Sequence, residues 1–330
     1  MSESLPFSVS LDLAFGGALS RSAYDTALKD ARSQLQWLRD QHEAGALELL
    51  ALPKRTDDLA AAEAIAPKFL ENTTDIVVLG IGGSSLGGQA LAELRPRGAT
   101  PRVIFTDNPD PYSYTEALAH YDLRTTRFIA ISKSGGTPET LAQVLAAADA
   151  IDKAGGGKYM KHHFVAITEP HDSALRKFAT GIGAPVLDHP EGIGGRYSVM
   201  TLVGMFPAML MGLNAKAFRE GAAAVLDPIL AGANDAPAAD GSALNFAAMQ
   251  SHLHETVIWP YADKLKTFGG WFRQLWAESL GKDGKGNTAT APLGPVDQHS
   301  QLQLYLGGPN DKLYTIVTTD MKGQGPIVPK

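Results

Sequence analysis

The sequence predicts an α/β protein of two units, each a parallel sheet between helices, the second of them incomplete at the C-terminus. Three observations lead there. Short apolar runs alternate with helical stretches, glycine-rich loops leave the ends of two of those runs, and a Pro-, Gly-, Ala- and Asp-rich segment at 227–242 separates them from a shorter second set of elements.

Taken in order, residues 22–50 carry Leu28, Ala31, Leu35 and Leu38 at helical spacing, and 57–70 form an alanine-rich helical pattern; both read as outer packing helices. Apolar runs follow at 75–80 (DIVVLG), 102–107 (RVIFTD), 127–132 (RFIAIS) and 163–168 (HFVAIT), with helices expected near 84–95, 113–121 and 137–153. The most apolar window, 198–213, is interrupted by Pro207 and falls short of the roughly 20 residues that a membrane span needs, so it reads as a buried helix. The expected division is residues 1–226 for the N-terminal helices and first sheet, 227–242 for a linker, and 243–330 for the second unit. That unit shows a helix at 243–253, a strand at ETVIWP, a helix at 263–280, a glycine-rich loop and a strand at 312–320. Two strands make a small core, which is why it reads as unfinished.

The net charge of -6 arises from 29 basic and 35 acidic residues spread along the chain, so no basic face is expected for nucleic acid or anionic lipid. There is no cysteine, hence no disulfide and no thiolate chemistry, and the opening MSESLPFSVS lacks the pattern of a secretory leader; the expected location is cytoplasmic.

In an open parallel sheet, ligands sit beyond the carboxyl ends of the strands. GIGGSSLGG (80–88) and ISKSGGTPETL (131–141) have that placement. In the first, glycines permit close backbone approach, and Ser84 and Ser85 can cap the next helix or donate to an anion. In the second, Thr137 suits an N-cap and Pro138 the first helical position, so free amides, the hydroxyls of Ser132, Ser134 and Thr137, and Lys133 could together hold a phosphate monoester. The bland reading is a capped helix with glycine turns. Gly80 and Gly82 also begin a dinucleotide fingerprint with Asp107 at the end of the next strand, but Ser85 stands where the third glycine belongs.

Three residues are candidates for chemistry. Glu278 falls on the same helical face as Phe268, Trp271 and Leu275; burial there would raise its pKa and suit it to abstract a carbon-bound proton, whereas a helix end before Gly281 would leave it in solvent. Arg196 lies between a glycine turn and a helix expected to begin near Ser198, where a cation is disfavoured unless it has a partner, either an anionic ligand or Glu191. His299 sits in an expected loop, as an acid or base or simply solvated. His252 and His254 end an expected helix with the wrong spacing to share a ligand, and no metal is expected.

The segments GIGGSSLGGQAL, ISKSGGTPETL, GGRYSV, ESLGK and QHS, in this order and rough spacing, resemble the glucose-6-phosphate isomerase family from about residue 70 to about 305. The resemblance implies two sugar isomerase (SIS) domains, no cofactor, and conversion of an aldose 6-phosphate to a ketose 6-phosphate. It implies that Ser132, Lys133, Ser134 and Thr137, aided by Gly83 and Ser84, hold the phosphate of a sugar 6-phosphate. Glu278 would move a proton between C2 and C1 through a cis-enediol, Arg196 would stabilise the developing oxyanion, and His299 would assist ring opening in the partner subunit's site of a homodimer. Two departures stand out: Leu280 replaces the family's usual Asn, and GPVD precedes His299 where Gly-Thr is common. The family also carries a lysine and a glutamine in a helix near its C-terminus that this chain does not reach, so a truncated chain with reduced ring-opening activity is expected. The rival expectations are a non-catalytic sugar-phosphate regulator and a nicotinamide dehydrogenase resting on Gly80, Gly82 and Asp107.

Overall fold

The computed structural model describes residues 5, 7–327 and 329. Residues 1–4 and 6, on which the expected absence of a secretory leader partly rests, lie outside the described residues. The chain runs α1 (Arg21–Glu43), α2 (Leu59–Leu70), β1 (Asp75–Leu79), α3 (Leu86–Ala92), β2 (Arg102–Thr106), α4 (Pro111–His120), β3 (Thr126–Ile131), α5 (Pro138–Lys153), β4 (Phe164–Thr168), α6 (Ala174–Gly181) and β5 (Val186–Asp188). It continues through α7 (Leu202–Leu210), α8 (Ala215–Leu230), α9 (Pro237–Gln250), β6 (Glu255–Pro260), α10 (Phe268–Leu280), β7 (Thr288–Thr290), α11 (Val296–Gly307) and β8 (Lys312–Val317).

The first sheet is fully parallel in the order β2-β1-β3-β4-β5. Strands β1, β3 and β4 are buried along their whole length, as near-continuous apolar runs covered on both faces must be. One face packs Ile76, Val78, Ile129, Ile131, Val165 and Ile167 against α2 and α7, and the other packs Val77, Leu79, Phe128, Ala130 and Phe164 against α5 and α6. Each large side chain so buried contributes about 1.5–3 kcal/mol. The expected buried helix is α7, in which Leu202, Val203, Met205, Phe206, Ala208 and Leu210 are all buried. Among the described residues, no helix is long and apolar enough to cross a membrane.

The strand order reverses between β1 and β3, because the chain leaves β1 for the edge strand β2 and returns to the other side. The loops after β1 and β3 therefore diverge and leave a crevice, the place where such sheets receive ligands. Both motif loops open into it.

The second sheet is also parallel, in the order β7-β6-β8, with β6 in the centre. It has one strand more than the two expected. Residues 227–242 are not an open linker: 227–230 finish α8 and Pro237 opens α9. Proline is well placed at a first helical position, so a proline-rich composition here marks a helix start and not only a break. α1 buries Leu35 with Ile229, Ala236 and Ala239, using the predicted Leu28, Ala31 and Leu38 face. Farther toward its N-terminus, Tyr24 and Ala27 pack with Ala243, Leu244, Ala247 and Leu313. The first helix thus covers α9 and touches β8, although it is far from them in sequence.

Candidate active site

Beyond β1, residues Gly82–Ser84 form a short 3-10 turn before α3. A Cβ on Gly83 would lie 2.2 Å from the Gly195 carbonyl oxygen, so a side chain here would force this loop away from the one carrying Arg196. The Ser198 hydroxyl joins the same two loops by donating to the Gly83 and Gly195 carbonyls at 3.1 and 2.7 Å. Ser84 is half-buried in this turn. Ser85 occupies the N-cap position of α3 without capping it; its hydroxyl accepts instead from Gln89 Nε2 at 2.8 Å. Gln89 Nε2 also donates to Asp107 at 2.7 Å, so the carboxylate that would mark a ribose site is tied to α3.

Beyond β3, Thr137 stands at the N-cap of α5 but makes no cap hydrogen bond. Its hydroxyl pairs with that of buried Ser132 at 2.8 Å. The helix amides are thus left for another acceptor, and the amides of Ser134 and Thr137 meet none among the described residues. Ser134 accepts from the Gly136 amide at 3.2 Å. Gly135 adopts φ +64°, and a Cβ on it would meet Ser173 Oγ at 2.1 Å, so this tight turn requires glycine. Lys133 Nζ donates to the Glu191 carbonyl at 3.0 Å and lies 3.4 Å from Glu169, which also meets His171 at 3.1 Å.

Arg196 lies in a 3-10 turn, Gly195–Met200, and α7 begins only at Leu202, capped by Thr201. The expected clash with a helix dipole therefore does not arise, nor does pairing with the Glu191 side chain. The guanidinium lies 4.4 Å over the Tyr197 ring, donates through Nε to Ser279 Oγ at 3.0 Å, and places Nη1 3.6 Å from Glu278 Oε2. Glu278 Oε1 accepts from Gln274 Nε2 at 2.8 Å, and Gln274 in turn borders Gly82. In this way α10 brings Glu278 to the Arg196 turn and the glycine loop.

The sequence leaves Glu278 between a buried face and solvent at the helix end; its side chain is 49% exposed, the second of these. Among the residues of α10 only Gly269 is buried, because helical spacing shows which face is apolar and not whether another element covers it. His299 is in a helix and not a loop: it occupies the first turn of α11, exposed, with its imidazole making no hydrogen bond among the described residues. The structure brings Glu278 and Arg196 together with the glycine loop and leaves His299 outside that cluster.

Sequence reasoning did not single out Gln274, Ser279 or Tyr197. Gln274 was legible as the residue one turn before Glu278 on the same face, and Ser279 and Tyr197 as polar neighbours in sequence of the two candidates. Among the described residues no group of three or more His, Cys, Asp or Glu is poised to hold a metal.

Residues 61–300 match the family described as phosphoglucose isomerase. The chain is 36% identical over 278 residues to glucose-6-phosphate isomerase of Rubrobacter xylanophilus, covering 81% of this chain and 64% of that protein. It is 35% identical over 315 residues to the enzyme of the same name from Thermus thermophilus, covering 92% and 72%. A crystal structure of a glucose-6-phosphate isomerase from Chlamydia trachomatis superposes with a TM-score of 0.66 at 27% identity, covering 83% of this chain and 55% of the other. The chain thus spans roughly two thirds of the length of these curated relatives. The extent of the family match, together with the identity to a relative of which the chain covers more than two thirds, shows that this chain belongs to the phosphoglucose isomerase family.

Proposed function

We infer that the chain interconverts glucose 6-phosphate and fructose 6-phosphate. The observation that carries this reading is the placing of a carboxylate and a guanidinium 3.6 Å apart beside the loop that follows β1. The loop after β3, with the paired hydroxyls of Ser132 and Thr137, the Ser134 hydroxyl and Lys133, takes the sugar phosphate, and Gly83 and Ser84 close the other side. Hydroxyls and main-chain amides can do this in a chain of net negative charge because they act at contact distance.

Glu278 removes the proton from C2, and the electrons move toward the carbonyl oxygen to give the cis-enediol. Arg196 faces the oxygen on which charge develops, a fixed cation needing no rearrangement at the moment of reaction. Glu278, now protonated, returns the proton to C1, while a hydroxyl proton passes between the two oxygens. Exposure of Glu278 in the free protein fits a site that a bound sugar covers. The finer proposals are a homodimer in which His299 serves ring opening in the partner subunit's site, and a cytoplasmic setting suited to a cysteine-free chain.

The test is to incubate the protein with fructose 6-phosphate in D₂O and follow deuterium at C2 of the glucose 6-phosphate formed by NMR. Deuterium incorporation that disappears in Glu278→Gln is expected. Binding without exchange would instead support a non-catalytic sugar-phosphate regulator, a reading that the enzyme names of the relatives do not favour.

A further inference from the structure

A guanidinium and a carboxylate free to move close into a direct pair with N···O distances of about 2.7–2.9 Å. Arg196 and Glu278 do not: their nearest approach is 3.6 Å, beyond hydrogen-bonding distance. Each is held from its other side. Gln274 Nε2 holds Glu278 Oε1 at 2.8 Å. Ser279 Oγ receives the Arg196 Nε–H at 3.0 Å and shares a second hydrogen bond, 2.9 Å long, with the Tyr197 hydroxyl. Because Nε is the donor used, the guanidinium plane is set, and the Tyr197 ring 4.4 Å beneath it limits rotation out of that plane. Ser279 is the residue that follows Glu278 in α10, so the helix that carries the carboxylate also carries the tether for the cation.

We propose that Ser279, braced by Tyr197, is a positioning residue that holds the Arg196 guanidinium beside Glu278 while preventing the two from closing into a direct ion pair. The proposal rests on the isomerase reading for its catalytic consequence but not for its geometry. A closed pair would occupy the carboxylate that must accept a proton and the cation that must face the developing oxyanion. The Tyr197 phenol carries a trace of the same contact: burial pushes it up, yet its bond to Ser279 and the charges of Arg196 and Lys282 outweigh burial and leave it below its ordinary value.

The experiment compares wild type, Ser279→Ala, Ser279→Thr and Tyr197→Phe by steady-state kinetics and by ¹⁵N–¹H spectra of arginine Nε groups, with the Arg196 signal assigned by its loss in Arg196→Lys. Ser279→Ala should lower kcat by about ten- to a hundredfold with KM for the sugar phosphate nearly unchanged, the range expected for a displaced catalytic group. Its Arg196 Nε–H should exchange rapidly with solvent. Ser279→Thr, which keeps the acceptor oxygen, should restore both the signal and most of kcat, and Tyr197→Phe should fall between them. A Ser279→Ala protein that keeps wild-type kcat, or loses activity only through KM, overturns the proposal, as does an Arg196 Nε–H equally protected with and without the hydroxyl. If wild type shows no isomerase turnover while the Nε–H behaves as expected, the tether stands and the functional reading falls.

Discussion

The hydroxyls of Ser132 and Thr137 stand 2.8 Å apart at the two ends of the turn between β3 and α5, bonded to each other and not to the helix they precede. Both oxygens are therefore already oriented, and a phosphate arriving at the turn needs only to replace one hydrogen bond with another. Ser132→Ala and Thr137→Val should each raise KM by about 10- to 100-fold, the loss expected for a hydrogen bond to a charged group, while kcat changes little. Steady-state kinetics on both variants checks this; a fall in kcat at constant KM would remove the turn from phosphate binding.

The exposed position of His299 on the first turn of α11, apart from the Arg196–Glu278 cluster, leads to a prediction about subunits. Glu278→Gln and His299→Ala proteins, each inactive alone, should regain activity when unfolded together and refolded. If the chain pairs as proposed, a dimer carrying one chain of each kind keeps one complete site, so random pairing gives about a quarter of wild-type activity. No recovery in demonstrably mixed dimers would place His299 in its own chain's site or outside the chemistry.

Arg219 is 1% exposed and donates to both Asp58 oxygens at 2.8 Å while also serving the Met200 carbonyl, which ends the turn that carries Arg196. Arg219→Met strands the Asp58 carboxylate in the interior and should cost about 3–5 kcal/mol in urea unfolding. Adding Asp58→Leu should recover part of that loss, because the buried charge goes with its partner. A double variant less stable than the single would show that the carboxylate has another partner.

Two buried imidazoles link stability to pH. His163, beneath β4, and His189, beyond β5, are both lowered by burial, with hydrogen bonds to the Thr126 and Pro190 carbonyls opposing the shift. Their folded values lie below the ordinary 6.5. The unfolded chain thus binds more protons as pH falls through that value, so stability present at neutral pH declines below 6.5 and continues to decline down to the folded values. Urea midpoints between neutral and mildly acid pH should show the decline, and His163→Gln should make it shallower. A midpoint insensitive to pH in that interval would contradict the assignment.

Much of this fold is legible in the sequence because its central strands are apolar on both faces. DIVVL and TRFIAI can be recognised as interior strands of a covered parallel sheet without any knowledge of their neighbours. The three-residue strands VLD and TAT escape such reading because they are too short for any period to show. α11 is hidden by the Gly294–Pro295 pair, which reads as a turn although the helix begins directly after it. At the site, residue types and loop positions were legible, but partners were not. The sequence offers Glu191 as a counterion for Arg196, whereas the structure supplies Glu278, Ser279 and Tyr197, two of them from a helix some eighty residues away. That pairing depends on how α10 lies across α3 and the Gly195–Met200 turn, which no local pattern encodes.

The contact of Gly83 with Gly195 has a further consequence. With no side chain between the two glycines the loops abut through main chain, and the Ser198 hydroxyl that ties them is buried and bonded to both carbonyls, so the seam has little freedom to widen or narrow. On the proposed reading, this joint acts as a ruler: the span from anchored tail to reacting carbons is written in peptide geometry, so the site gauges its sugar by length.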